Sequence, residues 1–297
     1  LNKMSAKTSV KLLVPDNAPG RLYHWVAVLT GSKNALKGFG FFLGGLLLTL
    51  LGFRTAIAVM AGALTLVWIF SLLNLKKDLG KAKNKPRFTD ILSNSRAINI
   101  LSAARLFLFG ARDVWFVVAL PVYLSSTLGW DHWSVGGFLA IWIIGYGLVQ
   151  AFAPKITGNS AASPPVPGAI SRWTFTLAVV PLLIYLGMSY SGYSQAVLLS
   201  GLVLFAILFA INSSLHSYLI VSFARADGAS LDVGFYYMAN AGGRLTGTVL
   251  SGWLYQVSGL GVCLLVSTGF IALAAVLSMA LPGTSSSPPE ESFGISN

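Results

Sequence analysis

Charged side chains are scarce in this sequence. Only 10% of its 297 residues are Asp, Glu, Lys or Arg, whereas soluble domains carry about 25%. Hydrophobic residues make up 55%, and the mean hydropathy is +0.73. This composition excludes an ordinary soluble domain and is typical of a membrane protein.

Cysteine and acidic residues are also few. The one cysteine, Cys263, excludes an internal disulfide, and no Cys/His cluster has the spacing of metal ligands. We find no pairing of a nucleophile with a base, so we predict neither an enzyme nor a cofactor. The 9 acidic residues face 20 Lys and Arg, giving a net charge of +11. That excess alone would be compatible with nucleic-acid binding, and its distribution along the chain decides the matter.

The apolar segments predict a polytopic membrane protein. A membrane-spanning helix needs about 20 predominantly apolar residues. Eight segments qualify, at about 22–50, 54–75, 99–124, 134–153, 172–190, 194–222, 232–256 and 259–281.

The basic residues predict the orientation of these spans. Of the 20 Lys and Arg, 14 fall in one alternating set of connections, and only Arg54 falls in the other set. Basic connections face the cytoplasm, so we predict a multi-pass protein of the inner (cytoplasmic) membrane with both termini of this chain in the cytoplasm. Topology explains the basic excess, and we therefore predict the lipid bilayer and not nucleic acid as a partner. The basic set of connections comprises 1–21, 76–98, 154–172 and 223–231.

An internal repeat indicates how the chain is organised. A shift of 207 residues places Lys37 on Arg244 and Gly52 on Gly259, and it also pairs Gly40 with Gly247, Gly45 with Gly252 and Gly44 with Ser251. An offset of six helices indicates six-helix units, so we expect four further helices before this chain. The predicted parts are 1–75, the last two helices of an N-terminal bundle; 76–98, a basic cytoplasmic linker; 99–281, a C-terminal six-helix bundle; and 282–297, a disordered tail.

Six charged residues lie inside the predicted spans, where each costs about 2.5–3.5 kcal/mol on insertion scales. Such residues normally face the interior of a bundle or a watery cavity. Three different helices bring a cation to about the same depth, and the net charge of the set is +4. A cavity that receives a multiply charged anion would balance it, with arginine forks and lysine point charges as ligands. The candidate substrate-binding residues are Arg112, Arg244, Lys37, Arg105 and Lys33, and Asp113 is the one acid.

Several alternatives stay open at this stage. In one alternative, acidic residues on further helices pair with these cations and form interhelical ion pairs. In another, the Lys33 side chain extends along the helix to the cytoplasmic surface of the membrane. Asp113 is either the proton-coupling acid or a counter-ion. It adjoins Arg112, and side chains of adjacent helical residues point about 100° apart, so we expect a poor pair between them and a partner for Asp113 from another helix. Arg105 and Arg112, seven residues apart, should share a face.

Polar residues inside the sixth span give a weaker signal. The segment NSSLHSY at 212–218 has two interpretations. Its side chains either bind substrate or relay protons, with His216 as the titratable group, or they form interhelical hydrogen bonds. The glycines of GSKNALKGFGFFLGG at 31–45 favour close helix packing.

Several stretches resemble the major facilitator superfamily. SGWLYQVSGLGVCLL at 251–265 is similar to the junction of its last two helices, and GLVQAFAPKITG at 147–158 to the end of its eighth. Gly31, Gly40 and Gly44 keep part of a fifth-helix glycine pattern of its antiporters, although Gly45 replaces the proline of that pattern. The resemblance implies an all-α bundle with 8 of 12 expected membrane helices present.

Longer stretches resemble the organoarsenical efflux permeases (ArsJ type) within that superfamily. They are LNKMSAKTSVKLLVP at 1–15, VLTGSKNALKG at 28–38 and ILSAARLFLFGARDVWFVVALPVYL at 100–124. This resemblance implies export of 1-arseno-3-phosphoglycerate, which confers arsenate resistance. It also implies a functional link to glyceraldehyde-3-phosphate dehydrogenase, which makes that small anionic substrate when arsenate replaces phosphate. The layer of cations on three helices leads to our hypothesis of a secondary transporter that alternates access around a cationic midplane site and is driven by proton exchange, as an antiporter. The alternatives are an exporter of another organic anion or a drug and, more remotely, a non-transporting membrane receptor.

Overall fold

The computed structural model describes residues 19–74, 93, 95–158, 167–224 and 229–282. Within those residues every regular element is a helix. The elements are α1 (Pro19–Asn74), α2 (Arg96–Phe116), α3 (Ala119–Ser126), α4 (His132–Ile156), α5 (Pro167–Tyr190), α6 (Ser194–Phe223) and α7 (Ala229–Met279). Most of the predicted linker lies outside the described residues, and so does the predicted tail after Pro282.

The two longest helices are each broken at one glycine. Gly52 in α1 has φ 70° and ψ 169°, and Gly259 in α7 has φ 76° and ψ −174°. Only glycine adopts this region readily, because a Cβ would meet the backbone there. The shift of 207 residues pairs these two positions, and their shared conformation supports the internal repeat. Each long helix is therefore two helices joined by a glycine corner.

A second break separates α2 from α3 at residues 117–118. These two residues form a turn, and Val118 has the non-helical angles φ −120° and ψ −54°. The break frees the backbone N–H of Ala119, which donates to Ser251 Oγ of α7 at 3.0 Å. Because an unsatisfied N–H is costly in the bilayer, this buried hydroxyl stabilises the break.

Two hydrophobic clusters hold the helices together. In the larger one, Trp115 of α2 packs edge-to-face on Phe205 of α6 with ring centroids 4.9 Å apart. Trp142 of α4 joins it and donates its indole N–H to the Leu202 carbonyl of α6 at 2.9 Å. The smaller cluster lies near the start of α1, where Tyr23 contacts a tyrosine of α6. The helices α2, α4, α5, α6 and α7 thus share one core, and α1 packs against α4 and α6.

Six stretches of the described chain are long and apolar enough to cross a membrane. They are Leu50–Leu73, Arg96–Ser126, Trp133–Ile156, Gly168–Tyr190, Ser194–Phe223 and Leu231–Met279. The last is 49 residues long and turns at Gly259, so it accommodates the two predicted spans at 232–256 and 259–281. The predicted span at about 22–50 is helical and not among the six, so it stays a prediction. Helix content confirms the all-α class expected from the sequence.

Candidate anion site

Glycine contacts bring α2 and α7 together at the depth of the buried charges. A Cβ built on Gly243 would lie 2.0 Å from the Leu106 carbonyl oxygen, and one on Gly247 would lie 2.5 Å from that of Gly110. No larger residue fits at either position without moving a backbone. The two helices therefore approach as closely as small residues permit, and the side chains beside this contact are held in register.

Asp113 lies in this contact and is fully buried. It accepts hydrogen bonds from two arginines, with Arg112 Nε 2.7 Å from Oδ1 and Arg244 Nε 2.8 Å from Oδ2. Arg112 is 13% exposed and Arg244 48% exposed. One carboxylate thus bridges two guanidinium groups, and the three charges sum to +1.

The expectation of a poor pair between Arg112 and Asp113 is wrong. The Cβ atoms of adjacent residues diverge, but an arginine side chain is long enough to return across the helix surface. It lies along α2 between aromatic rings, with the guanidinium carbon 5.1 Å from the Phe109 ring centroid, 5.9 Å from Phe116 and 5.4 Å from Phe209 of α6. These cation–π contacts hold the guanidinium where it reaches its own neighbour. The expectation that Asp113 has a partner from another helix is met by Arg244.

Arg105 lies two turns from Arg112 on the same face of α2. It is buried, and its guanidinium carbon is 3.7 Å from the centroid of the Phe109 ring, which also contacts Arg112. Nη1 donates to the carbonyl and hydroxyl oxygens of Ser213 at 3.3 and 3.2 Å, and Nε has no acceptor among the described residues. No described carboxylate pairs with Arg105. Its charge therefore adds to the positive potential beside Asp113.

A hydrogen-bonded chain, here termed the polar bridge, connects Arg105 to α1. Ser213 Oγ also accepts a hydrogen bond from Gln150 Nε2 at 3.1 Å, and the side-chain oxygen Oε1 of Gln150 accepts one from Asn34 Nδ2 at 2.6 Å. Asn34 Oδ1 in turn accepts from Lys37 Nζ at 3.4 Å. The bridge crosses from α2 through α6 and α4 to α1, so it links the helix predicted for the first bundle to those predicted for the second.

The structure thus divides the predicted cation layer into two groups. Arg112 and Arg244 meet at Asp113, whereas Lys37 connects to Arg105 through the polar bridge. Lys33 lies one turn before Lys37 on α1 and is half-buried. We use the term arginine site for Arg112, Arg244 and Asp113 together with Arg105.

The polar segment of α6 is buried throughout. Asn212 has interhelical partners on α5, where it accepts from Thr174 Oγ1 at 2.7 Å and donates to the Trp173 carbonyl at 3.0 Å. His216 lies one turn further, and neither of its ring nitrogens has a hydrogen-bond partner among the described residues. Interhelical hydrogen bonding accounts for Asn212 and Ser213, and His216 stays a candidate for proton coupling.

Sequence reasoning missed three members of this region. Gln150 and Asn34 were not singled out, although an amide in the middle of an apolar span is itself a signal, because it needs a partner there. Phe109 was missed because one aromatic residue in an apolar helix carries no distinguishing pattern. Its role depends on its spacing from both arginines, four residues after Arg105 and three before Arg112.

A comparison with solved structures identifies the fold. The chain is similar to the crystal structure of a bacterial homologue of the iron transporter ferroportin in the outward-facing state, with a TM-score of 0.71 and 18% sequence identity. The alignment covers 94% of this chain and 68% of that one. The two chains share one helical fold. No family model matches the sequence, and no curated protein matches it at a significant level.

This fold, together with the six stretches long and apolar enough to cross a membrane, confirms the expected all-α polytopic membrane protein. Among the described residues, no group of three His, Cys, Asp or Glu side chains is placed to hold a metal ion. The charged groups brought together in the described bundle are instead mainly cationic.

Proposed function

We propose that this protein is a secondary transporter that exports a multiply charged organic anion through the cytoplasmic membrane. Alternating access around the arginine site would move the anion, and both termini of this chain would lie in the cytoplasm. The transporter-like fold supports transport in general. The two bundles, joined by the 76–98 linker, would be the moving parts.

One observation carries the choice of an anion: a buried carboxylate divides its two oxygens between Arg112 and Arg244. An arginine has five N–H donors. Arg244 gives its Nε–H to Asp113, while the half-exposed guanidinium keeps its terminal nitrogens for another acceptor. An incoming anion can therefore bind Arg244 first and then compete with Asp113 for both guanidinium groups. Arg105 adds a further cation next to the same Phe109 ring.

Proton coupling needs a titratable group at or near the arginine site. In an antiporter the proton and the anion are bound in alternation, so the return of protons drives the export of the anion. Asp113, whose two guanidinium partners are the ones that the anion would bind, is the first candidate for this role. His216 is the second group for this role. The protein would exchange protons for anions.

The cargo that we propose is 1-arseno-3-phosphoglycerate. It carries an arsenate and a phosphate group, and two such groups suit arginine forks beside Lys37 and Lys33. The resemblance of residues 28–38 and 100–124 to organoarsenical efflux permeases supports this choice. Glyceraldehyde-3-phosphate dehydrogenase would supply the cargo. Arsenate resistance would follow from export.

Arsenate resistance tests the proposal in cells that express the full-length protein together with glyceraldehyde-3-phosphate dehydrogenase. We expect Arg244→Gln and Arg112→Gln to abolish resistance while membrane expression persists. Arg172→Gln is the matched control, because Arg172 is exposed and lies outside the site. Full resistance in both site variants would refute the site.

Uptake into everted vesicles separates this cargo from another organic anion or a drug. We expect phosphorylated three-carbon acids to compete with the arseno ester. Competition by hydrophobic drugs alone would favour a drug exporter, for which the phenylalanine rings around Arg112 would serve as the binding surface. Binding without any movement of substrate would favour a receptor.

A further inference from the structure

A groove of about 310 Å³ lies between α1 and α4. Its lining is almost entirely apolar. His24, Gly31 and Ser32 are among the residues that line it from α1, and Gly147, Phe152 and Lys155 are among those that line it from α4. None of the proposed transport residues lines it, so the proposed function leaves it unexplained.

Two glycines form the floor of the groove. A Cβ on Gly31 would lie 2.5 Å from the Gly147 carbonyl oxygen, and one on Gly147 would clash with the Ala35 backbone nitrogen. The helices therefore touch along this line. Larger side chains on either side of the two glycines form the sides of the groove. Among them, Leu148 and Phe152 are each about half exposed.

The basic groups lie at one end of the groove. Lys155 is in the last turn of α4, with Nζ 5.7 Å from the Phe152 ring centroid, and His24 is in the second turn of α1. Arg21 is exposed one turn before His24 on the same face. Trp25, 54% exposed beside His24, is a residue type that concentrates at the membrane–water interface. This end is therefore at headgroup level, and the basic connections predict that it faces the cytoplasm.

The length of the groove matches one leaflet of a bilayer. His24 and Ala35 are eleven residues apart on one helix, which is about 16 Å at 1.5 Å per residue. Half of a hydrocarbon core of about 30 Å is about 15 Å. An apolar chain that starts at Lys155 would run along the two glycines to the middle of the bilayer.

We propose that this groove binds an anionic phospholipid of the cytoplasmic leaflet, with its phosphate at Lys155 and His24 and one acyl chain between α1 and α4. Basic pockets between membrane helices on the cytoplasmic side hold such headgroups. The lipid would bridge the helix predicted for the first bundle and a helix of the second. It would bind whether or not the arginine site carries an anion.

Native mass spectrometry of the purified full-length protein tests the proposal with phosphatidylglycerol and phosphatidylcholine of identical chains. We expect a preference for phosphatidylglycerol, and Lys155→Gln should weaken its binding about fivefold, the effect of one lysine near a charged headgroup. Ser32→Trp should remove binding of both lipids, because Ser32 is exposed and lines the groove. Arg172→Gln, which removes an exposed cation elsewhere on the predicted cytoplasmic side, should leave binding unchanged.

Three results would overturn the proposal. Equal retention of the two lipids by the unmodified protein would remove the headgroup preference. Unchanged phosphatidylglycerol binding in both Lys155→Gln and Ser32→Trp would place the lipid elsewhere. Displacement by millimolar inorganic phosphate would identify a free anion as the ligand. Far-UV circular dichroism of each variant verifies that the helices are intact, and loss of transport with lipid binding preserved would bear only on the arginine site.

Discussion

Replacing Gly243 with alanine should separate α2 from α7 and weaken the hydrogen bond between Arg244 and Asp113. The added Cβ would lie 2.0 Å from the Leu106 carbonyl oxygen and 2.7 Å from its carbon, and both are backbone atoms. Contacts below 3.0 Å essentially never occur for a real Cβ, so the two helices must move apart by about 1 Å or more. Arg244 follows Gly243 directly in α7, and its 2.8 Å bond to Asp113 would lengthen with that movement.

The expected cost has two parts. Overpacking a close contact costs about 1–3 kcal/mol. Loss of a hydrogen bond to a charged group costs about 1.5–3 kcal/mol, and the lower end applies because Arg244 is half exposed. We expect Gly243→Ala to lower the free energy of unfolding by about 2.5–4.5 kcal/mol in total.

Reversible unfolding in mixed micelles, followed by far-UV circular dichroism, measures this change. Gly242→Ala is the matched control. Its Cβ would meet nothing closer than Leu106 Cδ1 at 4.0 Å, so we expect no loss of stability. The same substitution in an Arg244→Gln background isolates the second part: Gly243→Ala should then cost only the packing part, about 1–3 kcal/mol.

Equal stability of the Gly243→Ala and Gly242→Ala variants would refute the close approach of α2 and α7. An unchanged cost in the Arg244→Gln background would show that the contact and the ion pair are independent. Either result would remove the structural basis for holding Arg244 beside Asp113.

Three further predictions concern the corner, the bridge and the core, each measured as the free energy of unfolding. Gly259→Ala should cost about 1–3 kcal/mol, because the φ and ψ angles of Gly259 are nearly exclusive to glycine. Gly252→Ala is the control and should be neutral or slightly stabilising, because Gly252 is helical and has room for a Cβ. Equal effects of the two substitutions would contradict the glycine corner at Gly259. Gln150→Leu should cost about 1–3 kcal/mol, because it leaves the Asn34 amide without its acceptor, and an unchanged stability would contradict the polar bridge. Trp142→Phe should lower the free energy of unfolding by about 1 kcal/mol or more, because it removes the hydrogen bond from the indole N–H to the Leu202 carbonyl. An unchanged free energy of unfolding would contradict the contribution of this hydrogen bond.

Much of the fold was predictable, because the bilayer imposes simple rules. Apolar length and the loop charges follow from the cost of exposing polar groups to hydrocarbon, so they are readable from local sequence. The pairing of Gly52 with Gly259 was visible as a repeat, and both residues adopt one unusual backbone conformation. The orientation, the two-bundle division and the cargo remain predictions.

Pairings between helices were less predictable. The shared face of Arg105 and Arg112 followed from helical periodicity, and the Phe109 ring between them bears it out. The adjacent pair Arg112–Asp113 was wrongly discounted, because periodicity fixes the Cβ direction and not the path of a long flexible side chain. The amides of Asn34 and Gln150 lie 116 positions apart, and no local pattern connects them.

The sequence by itself determined that this is a helical membrane protein with rare cations inside its spans, since apolar length and charge are properties of single segments. The tertiary structure alone decided which cations meet. Glycine contacts set the distance between α2 and α7, and that distance allows one buried carboxylate to hold two arginines. Such an arrangement depends on the packing of two helices more than a hundred residues apart, and packing of that kind leaves no signature in either helix alone.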